Sequence, residues 1–153
     1  MELRKFEGIT NVPANVSMGD LANSSRYAYV EGPIYGRPVL KRPIHFFSQL
    51  VRLERCERGP EACKLLRTFG DDYWIPADPW HHLAFAGQYP DVQDKEEPDP
   101  IVSVDGSFKV GKFNRVIATY WEAYDGRKLY LNFEDAYIGP RVWFLVVHEV
   151  VDA

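Results

Sequence analysis

Hydrophobic and polar positions alternate most plainly between Arg115 and Val151, RVIATYWEAYDGRKLYLNFEDAYIGPRVWFLVVHEVV. A period of two in runs rich in β-branched and aromatic residues predicts three antiparallel strands. Asp125-Gly126 separates the first two and fits a two-residue turn, whose positive φ angles these residue types tolerate. Such a turn sets Tyr124 opposite Arg127 and Trp121 opposite Tyr130. Val116, Ala118, Tyr120, Leu129, Leu131 and Phe133 then share the expected core face, and Ile117, Thr119, Trp121, Lys128, Tyr130 and Asn132 share the other. The third run, Val142 to Val151, is apolar on both sides and predicts a central strand.

Upstream the pattern changes. Pro43 stands where the first turn of a helix accepts proline, and IHFFSQLVRLERCER runs from there toward Gly59. At about 100° per residue, Phe46, Phe47, Leu50, Val51 and Leu53 form one stripe, and His45, Gln49, Arg52, Arg55 and Cys56 the opposite side. Glu54 and Glu57 fall beside the apolar stripe, either as carboxylates of a last turn, solvated or paired with Arg58, or as a carboxylate pair at the edge of a cleft, the first being the commoner case. Pro60 restarts a second helix through Phe69, with Ala62, Leu65, Leu66 and Phe69 inward, so the two predict a helical corner. The N-terminal 25 residues suggest a short strand and then irregular structure. Arg26 to Val30 and Ile34 to Leu40 suggest two strands, the second at an edge because of Gly36 and Pro38. Asp71 to Gln88 reads as an ordered aromatic loop with a short helical or strand piece at Trp80 to Phe85. Tyr89 to Pro100 is acidic and proline-rich, an exposed connector. Ile101 to Val110 reads as a second hairpin turning at Asp105-Gly106. The expected fold class is α+β: one domain, an antiparallel sheet of about five to seven strands, and the helical corner packed on one face.

Charge adds an asymmetry. The net charge is only −4, which argues against whole-molecule attraction to nucleic acid or an anionic membrane. Within it, residues 34–70 hold eight basic and three acidic residues, and residues 71–105 hold nine acidic residues and one lysine. Two cysteines are too few for a disulfide scaffold, and MELRKFEGIT lacks the apolar core of a secretory signal. The expectation is a cytoplasmic protein with reduced thiols and no membrane span.

Candidate chemistry is sparse. His148-Glu149-Val150-Val151-Asp152 has the outline of a zinc-protease motif, but it ends in Asp and lies in a strand pattern that sends His148 and Glu149 to opposite faces. Cys56, Cys63, His81 and His82 are zinc-ligand types without ligand spacing. No metal or other cofactor is therefore expected. Asp71, Asp78, His81 and His82 could serve general acid–base hydrolysis if a pocket gathered them. Arg52, Arg55, Arg58, Lys64 and Arg67 offer a basic helical face for nucleic acid, although a turn of Gly59 and Pro60 is too short for a helix-turn-helix. Phosphate-loop, dinucleotide and serine-hydrolase signatures do not occur. The aromatic excess, with four Trp and nine Tyr, points instead to protein binding. The expected function is a non-enzymatic inhibitor or adaptor, of the type common among phage and mobile-element accessory proteins. Its contact residues would be Ile117, Trp121, Tyr130, Trp74 and Trp80, since Trp and Tyr are favoured interface anchors.

Overall fold

Burial along Ile44–Arg52 alternates residue by residue: Ile44, Phe46, Ser48 and Leu50 are buried, and His45, Phe47 and Gln49 half-buried. That is the signature of a strand, not of the expected helix. In the computed structural model, residues 2–36, 39–68 and 74–150 are described. Their order is β1 (Glu2–Val12), α1 (Met18–Ser24), β2 (Tyr29–Val30), a 3-10 turn (Gly32–Gly36), β3 (Ile44–Arg52), β4 (Glu57–Arg58), α2 (Gly59–Arg67), β5 (Ile75–Pro76), α3 (Pro79–Gln88), β6 (Ile101–Val110), β7 (Phe113–Glu122), β8 (Gly126–Phe133), β9 (Tyr137–Ile138) and β10 (Trp143–Glu149).

One eight-stranded sheet runs β1-β3-β10-β6-β7-β8-β2, with β5 also paired to β10, and β4 and β9 form a separate ribbon. The expected purely antiparallel sheet is corrected. The sheet is mixed, because β10 lies parallel to β6 through Trp143↔Ile101 and Phe144↔Val102, and β2 lies parallel to β8. β10 is the central strand its two apolar sides require. Phe144 and Val146 pack with Val51, Val102, Val116 and Ala118, and Leu145 and Val147 pack on the other side with Phe46 and Leu50.

The helical corner is also corrected, because its first helix is β3 and helices cover both faces of the sheet. α2 lays Ala62 and Leu66 on one face. α1 and α3 cover the other, with Met18, Ala22, Leu83 and Phe85 buried. Leu65 stays exposed on α2, and Phe69 lies outside the described residues. α3 takes the place of the aromatic loop. Asp78 caps it, Pro79 fits its first turn, and nearly every side chain to Ala86 is buried, so no amphipathic period is visible. The N-terminal strand is longer than expected. Ile34 belongs to the 3-10 turn, and positions 37 and 38 of the expected edge strand lie outside the described residues. The acidic connector is only partly exposed, since Val92 and Gln93 are buried.

Both Asp-Gly dipeptides hold positive-φ glycines, but neither makes a two-residue turn. The β7–β8 pairing sets Glu122 opposite Gly126, Trp121 opposite Arg127 and Ala118 opposite Tyr130. Asp125 N–H donates to the Glu122 carbonyl at 3.3 Å, and Gly126 follows at φ +85°, the longer hairpin solution that needs only one left-handed residue. The register therefore moves by an odd number of residues, and the expected faces exchange partners. Ile117, Leu129 and Leu131 share the buried face under α1 and α3, while Tyr120, Lys128, Tyr130 and Asn132 share the other. In β6, Gly106 at φ +88° sits in a bulge between Ser103 and Phe108, and the turn falls instead at Gly111-Lys112. A Cβ on Gly126 would meet nothing within 4 Å. Gly126→Ala should accordingly cost only the backbone penalty, about 1 kcal/mol, readable as a shift in the urea midpoint without loss of fold.

Candidate functional site

The histidine pair of α3 serves two separate polar centres. His81 closes the helix cap: its N–H donates to Asp78 Oδ1 and its Nδ1 accepts from the Asp78 N–H, both at 3.0 Å. Nε2 then carries the proton and donates to Glu149 Oε1 at 2.8 Å, with Arg42 at 3.6 Å from the other carboxylate oxygen. The His81 hydrogen bond, helped by Arg42, holds the Glu149 carboxyl below its usual range against partial burial. Both ring nitrogens of His81 are thus engaged, and the ring is buried edge-on to Phe46.

His82 points into the sheet. Its Nδ1 lies 2.7 Å from Ser103 Oγ and its Nε2 2.7 Å from Thr119 Oγ1, which also meets the Tyr27 hydroxyl at 3.0 Å. Burial pushes the imidazolium pKa down to about 3, reinforced by Arg127, and pushes the Tyr27 phenol up to about 12. Arg127 is itself buried and donates to the carbonyls of Ala86, at 3.1 Å, and Ser25. Gln93 adds an amide that donates to the carbonyls of Asp99 and Thr119. The gap between His82, Gln93, Thr119 and Arg127 has no room for a water molecule. The centre has the residue types of a catalytic site and the packing of a core.

The acid–base set is therefore not gathered. Asp78 and His81 meet at the cap, His82 lies in the other centre, and Asp71 lies outside the described residues. Among the described residues no group of three His, Cys, Asp or Glu could hold a metal ion. His148 and Glu149 sit in β10 on alternate faces, as the strand pattern requires. Cys56 and Cys63 are free thiols.

The basic set is dispersed by its acidic neighbours. Arg52, on β3, pairs with Glu2 and Asp99 and lies over the Trp143 ring at 3.9 Å. Arg55 pairs with Glu57, Arg67 pairs with Asp105, and Arg58 lies 4.9 Å over Tyr137. Lys64 is exposed on α2. Asp99 and Asp105, from the acidic segment that follows in sequence, thus supply two of these counter-charges.

The expected aromatic set is divided as well. Ile117 is core, and Trp121 and Tyr130 are on opposite faces of the sheet. Trp74 packs near His148, at 5.7 Å between rings, and Trp80 packs between α3 and the core. What the fold assembles around Tyr130 is a run of tyrosines. Tyr29 and Tyr120 flank it with ring centres 5.4 and 5.6 Å away. Beyond Tyr120, whose hydroxyl accepts from Asn132, a concavity of about 490 Å³ is lined by Pro100, Val102, Tyr120, Asn132, Tyr137 and Ile138. Tyr137 at its rim is 68% exposed and Tyr29 is 47% exposed. Sequence reasoning found Tyr130 but missed Tyr29, Tyr120 and Tyr137. The signal for Tyr120 lay in the turn, since one left-handed glycine after a longer turn puts it beside Tyr130. Comparison with known proteins gave no matching family model, no matching curated protein and no matching solved structure.

Proposed function

We propose that this protein is a non-enzymatic binding protein, an inhibitor or adaptor, that engages another protein through the tyrosine face of β2, β8 and β7. The observation that carries the reading is the concavity beside Tyr120 with Tyr137 exposed at its rim. Tyrosine supplies a large rigid contact area at low entropic cost and a hydroxyl at its tip, which is why it recurs at the centre of interfaces. The occupant that fits is a protein segment presenting an apolar side chain to the concavity and hydrogen-bond acceptors to the tyrosine hydroxyls. Lys128, held between Glu122 at 3.0 Å and Asp125 at 3.1 Å, keeps the neighbouring strand surface charged but locally balanced. No described helix is long and apolar enough to cross a membrane. The two free thiols favour a reducing, cytoplasmic setting for the interaction.

The hydrolase and nucleic-acid readings have less in their favour. The first would need His81 or His82 to give up existing partners, and the second would draw on arginines that mostly face carboxylates. Once a partner has been captured from the native host, Tyr137→Ala and Tyr120→Ala should each weaken its binding by about 2 kcal/mol. Tyr137→Ala should leave the melting temperature nearly unchanged because that ring is exposed. Unchanged affinity in both variants, measured by calorimetry, would remove this face from consideration.

A further inference from the structure

β1 ends the sheet. Among the described residues it pairs with β3 alone, so the other edge of an eleven-residue strand has no strand neighbour among them, although the Tyr89 hydroxyl donates to the Gly8 carbonyl at 3.4 Å. An exposed edge is a template for another strand, and proteins ordinarily blunt it with lysine or a bulge. β1 has both, with Lys5 at its middle and an irregular register between Phe6 and Thr10. Burial nevertheless alternates without interruption from Leu3 to Val12, so Leu3, Lys5, Glu7 and Ile9 share one exposed face, and Arg4, Phe6, Gly8 and Thr10 the covered one. Leu3 is 43% exposed and Ile9 42%, and neither Lys5 nor Glu7 has an ion pair among the described residues.

We infer that two copies of this chain dimerise by pairing β1 with β1 in antiparallel register about a two-fold axis at Phe6. Symmetry restricts the choice. A two-fold axis perpendicular to the sheet keeps each face on its own side, so the registers available differ by whole side-chain repeats. Centring on Phe6 sets Lys5 opposite Glu7 of the second copy and Leu3 opposite Ile9, each pair occurring twice. Centring one residue earlier sets Lys5 against Lys5, and one residue later sets Glu7 against Glu7. Of these three, the Phe6 register alone matches charge with counter-charge and apolar with apolar, the pairings that stabilise adjacent strands. The lysine that would block a foreign strand is thereby satisfied by a second copy. Phe6 is already held in place by Phe85 at 5.1 Å and Tyr89 at 4.6 Å, so the central residue is ordered before pairing. β2 and β8 lie at the far end of the sheet, so the dimer leaves both tyrosine faces free, and the inference does not rest on their role.

Sedimentation velocity across a concentration series tests the inference. The wild-type chain should show a reversible monomer–dimer equilibrium. Lys5→Glu and Glu7→Lys should each weaken it about tenfold, because each creates two like-charge pairs, and the double exchange should restore it to within about threefold. Circular dichroism should show all three variants folded. In an independent arm, a Leu3→Cys/Ile9→Cys chain should oxidise to a covalent dimer, scored against wild type, whose Cys56 and Cys63 control for unrelated disulfides. A monomer at every concentration, a double exchange as weak as the single ones, or a Cys-pair chain that stays monomeric under oxidation would overturn the inference.

Discussion

Replacing Arg127 by methionine should cost about 3–5 kcal/mol, a large share of the stability of a domain of this size. The reason lies in what its two hydrogen bonds satisfy. Ser25 is the C-cap of α1 and Ala86 lies in the last turn of α3, where helix carbonyls have no partner inside the helix. Arg127, from β8, donates to both, and its positive charge lies at the negative ends of two helix dipoles. Its face also lies 5.0 Å from the Tyr27 ring. Methionine keeps much of the volume but removes the donor to both carbonyls, which belong to buried residues at helix ends. Lysine keeps the charge but offers a single point where the guanidinium offers a fork, so Arg127→Lys should recover only part of the loss. Urea unfolding of the three proteins tests this, and a loss below about 1 kcal/mol for Arg127→Met would show that the helices dock without the clamp.

His82 should make the protein acid-labile within a definable window. Its folded pKa, about 3, lies below the ordinary value of 6.5, so the unfolded chain takes up a proton first as pH falls. Its contribution is thus complete above about pH 6.5 and is lost progressively down to about pH 3, an effect on the order of 5 kcal/mol over the whole window. Glu149, whose pKa is also depressed from 4.5, adds acid sensitivity as pH falls below that value, so the interval above it reports His82 without Glu149. Tyr27 acts at the opposite end: with a pKa raised to about 12, it contributes below about pH 10 and loses that contribution as pH rises further. His82→Leu should lower the urea midpoint at about pH 7.5, because Ser103 and Thr119 lose a buried partner, yet flatten the fall between about pH 6.5 and pH 4.5. An unchanged slope in that variant would assign the acid lability to other groups.

The chemistry that looked most promising in the sequence was absorbed by structure. Adjacent histidines next to aspartate suggest catalysis because these residue types carry protons near neutrality. In the fold, His81 completes a helix cap and His82 fills a polar gap between helix and sheet. The demand that buried backbone and hydroxyl groups find partners is common to all folds, and it used these side chains first. A single chain without geometry cannot distinguish a histidine held for packing from one held for reaction.

Several features were nonetheless written locally. The strands from Arg115 onward, the central place of β10, the positive φ of Gly126 and the helix opened at Pro60 each follow from a few neighbouring residues, through side-chain alternation, two-sided hydrophobicity, the conformational freedom of glycine or the fixed φ of proline. Tertiary structure decided the rest. Phe46, Phe47, Leu50 and Val51 satisfy a helical stripe as well as a strand, and the need to pair with both β1 and β10 selected the strand. Asp125-Gly126 permits two hairpin registers, and burial of Ile117 with Leu129 and Leu131 beneath α1 and α3 selected the one that sends Tyr120 and Tyr130 to the same open face. Local sequence limited the backbone to a few conformations at each point. The choice among them came from which combination buried the most apolar surface while pairing every strand, a sum over contacts distant in sequence.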